Sequence, residues 1–161
     1  KPVERERLVK RVTERAEQAE AAARARLDAL VAGGVHFEVR THDDGGVEGK
    51  RRGASDRTAR MLASGDPAPV AHPDLHGERV KAVAGAVRAF VRGSHRASRR
   101  NLCIVHGKGR HSEGGRGVLQ DAVVEALTNG GAAPLVDSFA SAPTRFGGLG
   151  AMLVRLRDVP G

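Results

Sequence analysis

The stretches DLHG, residues 74–77, and HGKG, residues 106–109, bring together a carboxylate, two imidazoles, an ammonium and several glycines. An imidazole titrates near neutral pH and can therefore move protons. Gly107 and Gly109 let backbone amides approach an oxyanion closely, and Lys108 between them supplies a point charge. Gly115, Arg116 and Gly117 then lead into a helical pattern, whose N-terminus favours phosphate. HGKG follows an apolar run and DLHG ends a short strand over Ala71–Leu75, and in β-α-β units the ends of parallel strands collect at one edge of a sheet. Asp74, His76, His106 and Lys108 are thus expected on one rim, with Arg110 and His111 in the same loop, facing something negatively charged.

The standard nucleotide fingerprints are absent. A Walker loop requires Ser or Thr after its lysine, and Lys108 is followed by Gly109. A dinucleotide loop requires a further glycine three positions after Gly109, where Ser112 stands, and GGLG at 147–150 fails in the same way. Metal binding is the rival use of the histidines. Pro73 between His72 and His76 rules out ligation from one helical turn, and the single Cys103 rules out a cysteine-rich zinc site. A carboxylate with two imidazoles still leaves room for a divalent ion, although no resident metal is assigned. His36, His42 and His95 stand alone and read as surface or turn residues.

Charge points the same way. The net charge is +8 with a pI near 10.9. Arg88, Arg92, Arg96, Arg99, Arg100, Lys108 and Arg110 fall within residues 88–111, a stretch with no acid. So one-sided a field concentrates polyanions, which makes RNA, DNA or a ribosome the expected partner and gives Arg88, Arg92, Arg99, Arg100, Arg110, His111 and Arg116 a nucleic-acid-binding role. Four Phe, with neither Tyr nor Trp, leave few platforms for stacking bases, so contacts should run mainly to phosphate and sugar. No apolar run approaches the roughly 20 residues of a membrane span. No signal-peptide pattern is visible in the sequence, which starts at Lys1. Cys103 in an apolar run suits a reducing cytoplasm.

These residues must be positioned by the elements around them. Residues 2–32 read as one long helix with a stripe of Leu8, Val12, Ala16, Ala19, Ala23, Leu27 and Leu30, ended by Gly33 and Gly34. Mostly alanine, that stripe buries little area, so the helix leans on the domain, on a second copy or on a large partner, docking on the domain being the plainer expectation. HFEVRT and VEGKRR around Asp44-Gly45-Gly46 form a β-hairpin. SDRTARMLASG forms a short helix capped by Ser55 and ended by Gly65. DPAPVAHP is a joint, which gives a helix over 1–33, an extension over 34–70 and a domain over 71–161.

That domain reads as a strand over Ala71–Leu75, then a helix from Glu78 to about Gly93 with Val80, Val83, Ala84, Val87, Phe90 and Val91 inward. A strand over Asn101–Val105, a helix over Val118–Leu127 and strands over Leu135–Ala140 and Ala151–Arg157 follow. The order β-α-β-α-β-β predicts an α/β fold with parallel pairing of the first strands and helices covering a mixed sheet.

DLHG, HGKG with GGRGVL, and SFASAPTRFGGLGAMLVRLR stand in the order and spacing of a known family: residues 72–157 resemble the Smr (small MutS-related) domain. RTARMLASGDPAPVAH is similar to the lead-in of stand-alone bacterial Smr proteins. The resemblance implies a two-layer α/β sandwich and an endonuclease, since the family includes DNA-nicking enzymes and endoribonucleases acting on messenger RNA at stalled ribosomes. It matches Asp74 and His76 to a D-x-H motif implicated in cleavage, and His106, Gly107, Lys108 and Gly109 to a substrate-facing loop. Gly147, Gly148 and Gly150 match a C-terminal motif whose plainer role is close backbone packing beside the site. Two residues depart from the pattern: Pro73 before DLHG, which shortens the first strand or places it at an edge, and Ala126, where many relatives carry Trp.

The expected activity is that of a metal-independent endoribonuclease. His76 or His106 would take the ribose 2′-hydroxyl proton, Asp74 would orient an imidazole, and Lys108 with loop amides would stabilise charge on phosphate. Cleavage of DNA would instead need attacking water and would bring Mg²⁺ near Asp74. The competing expectation is a module that binds RNA or ribosomes, partly through the first helix, without catalysis; a DNA-repair accessory rests on the family name alone.

Overall fold

A computed structural model of the chain describes residues 2–31, 35–108 and 117–158. The first helix, α1 (Pro2–Val31), is followed by strands β1 (Phe37–Thr41) and β2 (Val47–Arg51) and by helix α2 (Asp56–Ala63). Then come α3 (Val80–Arg96), β3 (Asn101–Val105), α4 (Val118–Asn129), β4 (Val136–Ser141) and β5 (Ala151–Leu156). Short 3₁₀ turns cover Ala133–Leu135, Thr144–Phe146 and Gly148–Gly150.

The chain has an α/β fold built on one five-stranded sheet in the order β1-β2-β4-β5-β3, with every neighbouring pair of strands antiparallel. β5 lies between β3 and β4, so those two run parallel without touching. The hairpin does not stand apart. Glu48, Gly49 and Lys50 of β2 pair with Ala140, Phe139 and Ser138 of β4, which extends the sheet at that edge. Gly49 makes the junction fit: a Cβ there would collide with the ring of Phe139, its cross-strand partner. Only glycine leaves room for the ring, which also meets Phe37 at 6.3 Å between centroids.

Beyond β3, residues 71–75 run parallel to it as expected, but only as isolated bridges, Ala71 with Leu102 and Asp74 with Val105. Pro73 accepts from the Val105 amide at 2.9 Å and has no N–H to return, so the ladder is broken and no continuous strand forms.

Strand alternation divides the core between two faces. Leu102, Ile104, Met152, Val154 and Leu156 pack under α3 and α4, against Val83, Val87, Val91, Val123 and Leu127. Cys103, Ala151 and Leu153 face the other way and pack with Leu62 of α2. The α2 helix begins where expected, with Ser55 Oγ accepting from the Thr58 amide at 3.2 Å.

Three expectations change on folding. The buried stripe of α3 is Val83, Val87, Val91, Ser94 and His95, while Val80 and Ala84 are exposed. His95, read as a surface residue, is 5% exposed and donates from Nε2 to the Arg157 carbonyl at 3.1 Å. The α1 helix forms at the expected length, but its described side chains, residues 3–24, are all exposed and do not dock on the sheet; Leu8 is 62% exposed and Val12 61%. Gly33 and Gly34, expected to end it, lie outside the described residues. No helix among the described residues is long and apolar enough to cross a membrane.

Candidate active site

Strand directions decide which loops meet. The end of β3, the end of β4, the start of β5 and the turn between β1 and β2 all lie at one rim, together with the N-termini of α3 and α4. The Asp74–Val105 bridge brings residues 74–77 to the same rim.

Asp74 Oδ1 accepts from the backbone N–H of His76 at 2.9 Å. Its described contact is therefore with the backbone of His76 and not with an imidazole ring, and it fixes the turn that presents the His76 side chain. Gly77, at φ +81°, completes the turn, and the Glu78 amide closes it on the Leu75 carbonyl at 3.0 Å. The exposed His76 ring lies over Gly107: a Cβ at Gly107 would sit 3.9 Å from both Cβ and Cδ2 of His76. The two motifs, about thirty residues apart in the chain, thus share one surface.

His106 is built differently. It is 2% exposed; its Nδ1–H donates to the Gly107 carbonyl at 2.8 Å, and its buried Nε2 has no hydrogen-bond partner among the described residues. Burial pushes its pKa below the ordinary 6.5, and the Gly107 carbonyl offsets this only in part. The ring is thus a neutral group that shapes the loop, while His76 is the imidazole that meets solvent.

The closing glycine motif holds that loop in place. The Gly150 carbonyl accepts from the amides of both His106 and Gly107, each at 2.9 Å. A Cβ at Gly150 would lie 3.2 Å from Lys108 Cγ and 3.4 Å from the Lys108 amide nitrogen, so the absence of a side chain lets the two loops touch. Gly147, at φ +115°, makes the preceding turn in a conformation that favours glycine. Lys108 is exposed beside this contact. Gly117 caps α4 without a side-chain hydrogen bond.

The remaining expected residues are scattered. Gly109, Arg110, His111 and Arg116 lie outside the described residues. Arg92 and Arg99 are exposed, and Arg88 is half-buried with its Cδ 2.8 Å from where a Gly131 Cβ would stand. Arg100 donates to the His95 carbonyl and to Asp158 Oδ1, each at 3.0 Å. Both Arg99 and Arg100 precede β3, whose length of about 16 Å at roughly 3.3 Å per residue separates them from Lys108. The charge run continuous in sequence is thus divided between opposite rims. Among the described residues, no group of three His, Cys, Asp or Glu side chains converges as a metal site.

The hairpin turn supplies residues that sequence reasoning did not assign to the site. A cleft of ≈ 650 Å³ is lined by Asp44 and Gly45, by Lys108 and Gln120, and by Thr144 and the 147–149 loop. The Asp-Gly-Gly turn was legible, but its location follows from β2–β4 pairing, which no local signal announces.

Known proteins are similar to the chain in both sequence and fold. The Smr domain family model matches residues 73–157. The ribosome rescue factor SmrB of Photobacterium profundum is 29% identical over 124 residues, which are 77% of this chain. The chain spans 65% of that relative's length. The crystal structure of YdaL, a stand-alone small MutS-related protein from Escherichia coli, superposes with a TM-score of 0.58 at 28% identity, covering 69% of this chain and 82% of that one. With its three motifs meeting at one rim and the family model spanning more than half its length, the chain belongs to the Smr domain family.

Proposed function

We propose that the chain is an endoribonuclease that cleaves by way of the ribose 2′-hydroxyl, with His76 as the base. The observation that carries this reading is the exposed His76 ring lying over Gly107, next to Lys108. His76 takes the 2′-hydroxyl proton, the 2′-oxygen bonds to phosphorus, and the bond to the 5′-oxygen breaks. The leaving 5′-oxygen takes a proton from water, the hydroxide so formed takes the proton held by His76, and the products carry a 2′,3′-cyclic phosphate and a 5′-hydroxyl. Lys108 stabilises the charge that builds on phosphate, because the His106 and Gly107 amides are already bonded to the Gly150 carbonyl. Asp74 and His106 are positioning residues: one fixes the backbone of His76, the other the Gly107 carbonyl.

The ribosome is the proposed setting, in the cytoplasm. It is supported by similarity to a ribosome rescue factor and by the exposed stripe of α1, which offers a large partner a surface that the sheet does not use. The division of the chain into helix, hairpin extension and nuclease domain is proposed with it.

The test incubates the purified chain with labelled single-stranded RNA and with supercoiled plasmid, each in EDTA and in Mg²⁺. RNA cleavage that persists in EDTA, leaves cyclic-phosphate ends and disappears in His76→Ala supports the mechanism. Plasmid nicking that requires Mg²⁺, without RNA cleavage, would replace it with metal-assisted attack by water. Salt-sensitive RNA binding with no cleavage, even when ribosomes are added, would leave a binding module.

A further inference from the structure

The cleft between the hairpin turn and the Lys108 loop has a chemistry that phosphate binding does not explain. Asp44 lines it across from Lys108, and a carboxylate beside a polyanion is repelled unless it meets hydrogen-bond donors. One carboxylate oxygen, Oδ1, holds the turn by accepting from the Gly46 amide at 2.8 Å. The other accepts nothing among the described residues. The turn itself is anchored. Gln120, 5% exposed near the start of α4, donates from Nε2 to the Gly45 carbonyl at 3.0 Å, and Ser141 Oγ accepts from the Val47 amide at 2.9 Å. Leu149, 37% exposed, offers an apolar wall, and the Leu149 Cδ2 atom lies 3.4 Å from where a Gly46 Cβ would be. An apolar wall, a fixed acceptor and a neighbouring cation in ≈ 650 Å³ suit one unstacked nucleotide: base against Leu149, phosphate towards Lys108.

We propose that this cleft is a nucleobase subsite that prefers guanine. Asp44 can accept two parallel N–H bonds, one on free Oδ2 and one on the lone pair of Oδ1 that the Gly46 amide leaves, and guanine alone presents two adjacent donors, N1–H and the N2 amino group, on its Watson–Crick edge. Uracil sets its single donor between two carbonyls that Asp44 repels; adenine and cytosine set a ring acceptor beside their amino group. The hairpin, outside the residues matched by the family model, thereby gives this chain a base preference at the nucleotide beside Lys108. The inference rests on the nucleic-acid reading of the rim but not on cleavage.

The test titrates the ¹⁵N-labelled chain with 5′-GMP, 5′-AMP, 5′-CMP and 5′-UMP, which contain no bond to cut. GMP should shift the Gly45 and Gly46 amides and the Gln120 side-chain amide, saturating at about tenfold lower concentration than the other three. Asp44→Asn keeps the oxygen that holds the turn and turns the free oxygen into a donor; it should remove the guanine preference with the spectrum otherwise unchanged. Equal response to all four nucleotides, shifts elsewhere, no shifts, or a preference that survives in Asp44→Asn would each overturn the proposal. Cleavage without base preference would refute the subsite alone, and a guanine-selective titration in a chain that cleaves nothing would refute the nuclease reading alone.

Discussion

At the rim where β3 ends, His76 and Lys108 are exposed and the only described bond of Asp74 goes to the backbone of its own turn. At the rim where β3 begins, Arg99 is exposed but other residues of the same types are tied down. His95 is buried on the Arg157 carbonyl, and Arg100 bridges the His95 carbonyl and Asp158. Arg51 and Arg157 converge on the carbonyls of the 3₁₀ turn at residues 133–135. Burial and the nearby Arg157 charge push the Arg51 pKa down. Arg51, Arg100 and Arg157 at the far rim bond backbone carbonyls, whereas His76 and Lys108 at the near rim are exposed. Charge alone therefore does not mark a binding surface; what counts is whether the protein has already satisfied the group.

The contrast can be broken most sharply at His76. His76→Ala should lower RNA cleavage by about 10²–10⁴-fold, with unfolding free energy changed by less than about 0.5 kcal/mol, as read from denaturant melts. Gly150→Ala should push on Lys108 and Gly107 and reduce cleavage by on the order of 10–100-fold, because the loop shifts without losing a functional group. At the far rim the expected pattern reverses. His95→Ala should cost about 1–3 kcal/mol of stability and Arg100→Ala about 1 kcal/mol, both with RNA affinity and its salt dependence unchanged. A drop in RNA affinity for Arg100→Ala at unchanged stability would erase the distinction between the rims.

The smallest effect sharpens the difference between the two site histidines. Burial holds the folded-state pKa of His106 below the ordinary 6.5, so the unfolded chain takes up that proton first. The stability this group contributes is complete above about 6.5 and is lost as pH falls towards its folded-state value. The denaturant midpoint should therefore fall between pH 7 and pH 5, and His106→Asn should flatten that fall. An unchanged slope in His106→Asn would show that the ring is not held neutral by burial.

Much of the fold was legible because its elements obey single periods. The helical spacing of Val83, Val87 and Val91 and the alternation of Met152, Val154 and Leu156 against Leu153 are local signals, and both survive folding. What escaped is set by pairing. No local pattern announces that β5 enters between β3 and β4, or that β2 joins β4 and carries Asp44 to the rim of the candidate site. His95 was misread because a polar residue gives no apolar period, although i, i+4 and i+8 from Val83 through Val91 lead straight to Ser94 and His95. The charge run over residues 88–111 is divided for a related reason: α3 runs away from the near rim and β3 returns to it, which splits neighbours in sequence across the sheet. The candidate site was more legible, since strand ends in parallel neighbours collect whatever the rest of the sheet does, and the Asp74–Val105 bridge obeys that rule.

The most direct measurement compares cleavage of one uniformly labelled single-stranded RNA, in EDTA, by the unaltered chain, His76→Ala and Arg100→Ala at equal folded concentration. Cyclic-phosphate products are expected from the unaltered chain and from Arg100→Ala, and none from His76→Ala. Cleavage retained in His76→Ala, or lost in Arg100→Ala at unchanged fold, would contradict the mechanism.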